Sequence, residues 1–138
     1  MEVLDSGFRE IEHTADWAIQ VWASDLPTLF AKAAEAMNYL SVVQLEQGNR
    51  IRQAIAFDAL ELESLLVMFL EEILYLGEHH GLGFDRFEVE ITDGFSMRSI
   101  LSGAKIKKID KEIKAVTFHN MKVSQTELGY EVTIVFDV

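Results

Sequence analysis

A chain of 138 residues, 49% hydrophobic and 25% charged, with one proline and no cysteine, fits one globular domain over residues 1–138 with a real apolar core. Disulfides, thiolate metal sites and cysteine nucleophiles are excluded, and a reducing compartment is the simplest home. Twelve Lys and Arg against 23 Asp and Glu give a net charge of -11, the wrong sign for holding a phosphate backbone directly but suited to a basic protein partner or to cations.

Residues 1–10 carry Glu2, Asp5 and Glu10 and lack the basic start and apolar run of a signal peptide, and no role for residues 1–8 is evident. The apolar-rich stretch 60–76 is interrupted by Glu61, Glu63, Glu71 and Glu72, so no lipid span is expected; absence of cysteine permits a cytoplasmic location, which is the expectation here.

Trp17, Ile19 and Val21 alternate with Ala18, Gln20 and Trp22, which predicts a strand with Asp16 on the side away from Ile19 and Val21. Asp25 and Pro27 then open a helix whose apolar stripe is Leu26, Leu29, Phe30, Ala33, Ala34, Met37 and Leu40. Beyond the polar break at 46–49, residues 51–57 read as a short strand. Leu62, Leu65, Leu66, Phe69, Leu70, Ile73 and Leu74 form the stripe of a second helix, closed by His79-His80-Gly81. Strands follow at 84–91 and 97–106, joined by the hairpin dipeptide Asp93-Gly94, and two more are predicted over 115–123 and 130–138. The expected fold is α+β, two amphipathic helices packed on antiparallel β-sheet.

In the last strand, Tyr130, Val132, Ile134, Phe136 and Val138 share one side, and Asp137 points to the other. Asp137, the α-carboxylate of Val138 and Asp16, if its strand lies alongside, would group three oxygen donors without sulfur. Such a set suits a hard divalent cation: calcium, magnesium or manganese. The plainer reading leaves Asp16 and Asp137 solvated or bonded to backbone.

Four segments shift that balance: Glu12-His13-Thr14-Ala15-Asp16, the acidic and leucine-rich run 61–72, Lys114-Ala115-Val116-Thr117-Phe118-His119, and Phe136-Asp137-Val138. In this order they resemble the motifs of the archease family. The resemblance implies an α+β fold and an accessory role, without catalysis of its own, for an RtcB-type RNA ligase in tRNA splicing or RNA repair, promoting ligase guanylylation and turnover. It also implies that Asp16, Asp137 and Val138 are metal ligands, and allows a chaperone-like role toward a tRNA methyltransferase. Trp17 and Ala18 depart from the smaller aliphatic residue and glycine that archeases often carry there, which touches local geometry and partner fit.

His13 within the first motif, and Lys114 and His119 within the late one, are candidate partner contacts, each with a structural alternative as an orienting, surface or strand residue. His79 and His80 suit the negative end of the helix dipole. Glu71 and Glu72 are expected on a solvated helix face. With no phosphate-binding glycine loop ending in Gly-Lys-Ser or Gly-Lys-Thr and no serine elbow, no nucleotide site is predicted, and a small metal-dependent hydrolase is the competing reading from another class.

Overall fold

The computed structural model describes residues 6–11, 17–93 and 95–138. These form nine strands and two helices in the order β1 (Gly7–Ile11), β2 (Trp17–Ala23), α1 (Leu26–Ser41), β3 (Gln44–Leu45), β4 (Ile51–Asp58), α2 (Leu62–His80), β5 (Leu82–Thr92), β6 (Ser96–Lys108), β7 (Ala115–Thr117), β8 (Ser124–Thr126) and β9 (Gly129–Asp137).

Both helices start and stop where their end residues dictate. The Asp25 carboxylate accepts the Thr28 amide at 2.8 Å, satisfying one of the orphan donors of the first turn, and Pro27 occupies that turn. Val42 closes α1 in the left-handed region, φ 53° and ψ 52°, its amide donating to the Asn38 carbonyl. Gly81 does the same for α2 at φ 66°, where the absence of Cβ makes that conformation cheap, and His79 and His80 stand in the last turn as expected.

Two sheets result, both built from antiparallel pairs. One runs β1-β2-β9-β7 with β8 also on β9; in the other, β6 is paired by β3, β4 and β5. Residues 115–123 are not one strand: β7 stops at Thr117, Asn120 turns through φ 51°, and the Phe118 carbonyl accepts the Met121 amide before β8 begins. The hairpin expected at Asp93-Gly94 does join β5 to β6, with Thr92 opposite Ser96, although Gly94 itself lies outside the described residues.

Each helix packs against strands of both sheets, α1 on β2 and β5, α2 on β5 and β7, so a single core runs through the molecule. Phe30, Phe69, Phe84 and Phe136 are fully buried in it, each worth about 1.5–3 kcal/mol of transfer free energy. Gly103 lets β5 and β6 approach: a Cβ there would lie 1.8 Å from the Gly83 carbonyl oxygen. No helix among the described residues is long and apolar enough to cross a membrane.

Candidate functional site

Asp137 and Val138 lie at the end of the first sheet where the start of β2 adjoins the end of β9, because these two strands are antiparallel neighbours. Trp17 faces Phe136, Ala18 faces Val135 and Ile19 faces Ile134, so the start of β2 adjoins the end of β9. Along β9, Val132, Ile134 and Phe136 are buried and Asp137 is exposed as expected, but Val135, on the same side as Asp137, is buried too. Val138 is half-buried and packs against the core, which anchors the segment carrying Asp137.

On the other side of β9, β7 pairs Ala115 with Asp137 and Val116 with Phe136. The Lys114 amide donates to the Asp137 carbonyl at 2.8 Å, fixing the main chain beside that carboxylate and bringing the exposed Lys114 into the same neighbourhood. His119, by contrast, sits exposed in the turn after β7; its amide donates to Thr117 Oγ1 at 3.2 Å and its ring lies 3.2 Å from Asn120 Nδ2. His119 is not a strand residue, although a strand was predicted over 115–123, because β7 has already ended at Thr117.

Asp16 and His13 lie outside the described residues. Among the described residues no three His, Cys, Asp or Glu side chains gather as a metal-binding group. The Asp137 carboxylate and the α-carboxylate of Val138 are hard oxygen groups, the type that suits calcium, magnesium or manganese.

Two acidic side chains of α2 do something the sequence reading missed. Glu71 accepts the Val116 amide at 2.8 Å and Glu63 accepts the Val123 amide at 2.8 Å. Glu71 is therefore half-buried and committed to backbone, a correction to its expected place on a solvated face. The reason is topological: β7 is the edge of its sheet, and an acceptor from α2 gives its outer amide a partner. A Glu on the flank of an apolar stripe carries no mark in sequence that it will find such an amide.

Trp17 also gains a definite environment. The Lys111 ammonium lies 4.3 Å from the centre of its ring, a cation–π contact that holds the loop before β7 over the start of β2. Ala18, the second departure from the family motif, is buried against the sheet opposite Val135.

The sequence pattern of the Archease protein family matches residues 8–138. The chain belongs to the archease family. It is 30% identical to the archease of Methanosarcina mazei over 139 residues, covering 95% of each chain. To the archease of Methanopyrus kandleri it is 34% identical over 142 residues, covering 95% of this chain and 99% of the other. The fold agrees: the solution structure of Methanobacterium thermoautotrophicum protein 1598 superimposes with a TM-score of 0.72 at 24% identity over 96% of this chain and 99% of that one. The crystal structure of a Thermotoga maritima archease, described as a possible chaperone, does so with a TM-score of 0.70 at 22% identity, covering 94% and 96%. The archease match thus spans the first motif as well as β9, so the motif that the structure leaves undescribed is still within the matched region.

Proposed function

We propose that this archease is an accessory protein of an RtcB-type RNA ligase, holding a divalent cation through Asp16, Asp137 and Val138 at the β2–β9 end and promoting guanylylation and turnover of the ligase. The observation that carries the reading is the β2–β9 register. Asp16 is bonded to Trp17 and Asp137 to Phe136, and Trp17 and Phe136 are direct partners. The motif aspartate is thus one peptide unit, about 3.8 Å along the chain, from the rung next to Asp137. A cation there supplies a compact positive charge for phosphate oxygens in an otherwise acidic molecule. Lys114 and Lys111 border the same end, and in this reading Lys114 meets a carboxylate or phosphate of the partner. With a net charge of -11, docking is steered toward a basic face such as an RNA-binding enzyme presents.

Activation requires that this chain bind the nucleotide-accepting state of the ligase more tightly than its other states. The test mixes the protein with its cognate ligase, GTP and divalent metal and follows ligase guanylylation over several turnovers. Stimulation that falls in Asp16→Ala and Asp137→Ala, with circular dichroism unchanged, is the expected result; Val138 is probed by residues added after it. Absence of stimulation by the intact protein defeats the reading.

The Thermotoga maritima archease is described as a possible chaperone, which agrees with a second reading of this chain as chaperone-like; the client, a tRNA methyltransferase, comes from the motif resemblance alone. That role would appear as binding to the methyltransferase and altered site choice on tRNA, with guanylylation untouched.

A further inference from the structure

Behind Lys111, whose ammonium covers Trp17, a cavity of about 480 Å3 opens between the C-terminal halves of α1 and α2, the start of β5 and the loop after β6. Its floor is apolar, with Met37, Ile73, Leu82, Phe84, Ile106 and Ile113 among its residues, and Ile109, 41% exposed, stands on its wall. Several of the polar groups within reach are engaged. Asn38 Nδ2 donates to the Phe84 carbonyl, Ser41 Oγ donates to the Met37 carbonyl, and the Ser41 carbonyl accepts the Asp110 and Lys111 amides. Charge lies on the exposed residues instead: Glu78 and Glu112 form no salt bridge among the described residues, while Asp110 pairs with Lys108 at 3.2 Å and Lys111 covers Trp17.

Gly77 is an independent sign that this space is kept open. It lies within α2, where glycine is costly relative to alanine, yet an added Cβ would meet only Ile106 Cδ1 and the Leu82 carbonyl, both at 3.6 Å, which are ordinary contacts. Packing of the folded chain does not demand glycine there. A longer side chain would grow into the volume that Leu82 and Ile106 line.

We infer that this cavity is a docking pocket for a partner-protein segment that inserts a bulky apolar side chain and sets flanking Lys or Arg residues on Glu78 and Glu112. Small-molecule sites usually present several convergent polar groups inside, whereas here the Asn38 amide nitrogen and the Ser41 hydroxyl are turned to backbone carbonyls and charge lies on exposed residues. An apolar centre with a polar rim is the anatomy of a protein interface around an anchor residue. The sign of the rim and of the whole chain selects a basic segment over an acidic one. Neither Asp137 nor Val138 lines this pocket, although Lys111 borders both places, and its test needs neither metal nor ligase.

The probe is a short amphipathic peptide of leucine and lysine, titrated into the isotope-labelled protein while amide shifts are followed, with a leucine–glutamate peptide of the same pattern as control. Saturable shifts confined to Gly77, Ile106, Ile109, Ile113 and their neighbours, given by the lysine peptide only, are expected. Gly77→Leu should weaken binding roughly tenfold or more while Gly77→Ala stays folded and binds more nearly as wild type. Should Gly77→Leu fail to fold, the exposed double change Glu78→Lys with Glu112→Lys carries the test, and the preference should then swing to the glutamate peptide. Shifts scattered over the acidic surface, no saturable shift, or a preference unmoved by the charge reversal would each overturn the assignment.

Discussion

The Glu71 carboxylate on α2 and the Val116 amide on β7 are joined at 2.8 Å, so a helix side chain holds the edge strand that flanks Asp137. Removing the acceptor leaves a part-buried amide without that partner. Glu71→Ala is therefore expected to lose about 1–3 kcal/mol in urea unfolding, and Glu71→Gln less, because its amide oxygen still accepts. Equal stability of Glu71→Ala and wild type would show that water replaces the bond without loss.

Val42 predicts the opposite sign. A β-branched residue in the left-handed region costs about 1–2 kcal/mol, and Val42 is exposed enough to give back little packing. Val42→Gly or Val42→Asn should raise the midpoint of thermal unfolding by a few degrees at unchanged helix content. A lower midpoint would mean that the valine side chain contributes more than its conformation costs.

Gly103→Ala should be strongly destabilising, about 3 kcal/mol or more, since backbone and not a pliable side chain stands where the Cβ must go. Hydrogen exchange should show the loss first in β5 and β6. Uniform exchange across all strands at wild-type rates would contradict the close approach.

Asp85 gives a dependence on pH. It stands between Phe84 and Arg86 where the β5–β6 register shifts, and Arg50 grips it with two hydrogen bonds of 3.0 and 2.5 Å, which hold its carboxyl below the usual range. A depressed folded value means the contribution is present above the unfolded value of about 3.9 and is lost as pH falls through the folded one. Both side chains are half-exposed, so the effect is modest and falls with salt. Urea midpoints of wild type and Asp85→Asn should differ at pH 7 and converge in strong acid; a gap that persists there would rule out the linkage.

Both helices were legible because a long apolar stripe and distinct end residues agree: Asp25 and Pro27 open one, His79, His80 and Gly81 close the other. The exposure of Asp137 followed from strand alternation alone. What escaped was set by tertiary context. β1 is five residues long with Arg9 and Glu10 in its middle, and it forms because β2 offers an edge. β3 is two residues laid on the far end of β6. The break after Thr117 rests on Asn120 taking a left-handed turn, which one asparagine among apolar residues signals only weakly. Of the proposed ligands, Asp16 was found through the family motif; its sequence neighbour Trp17 is what the structure positions.

The pairing of Trp17 with Phe136 joins segments roughly 120 positions apart, while β4, β5 and β6 meet through neighbours much closer in sequence. Closing so large a loop adds an entropic cost that the local pairings of β4, β5 and β6 do not carry, so the seam between β2 and β9 is suited to forming after them. A cation or a partner that gripped both strands at that end would tie the two ends of the chain together and add its binding free energy to the stability of the fold.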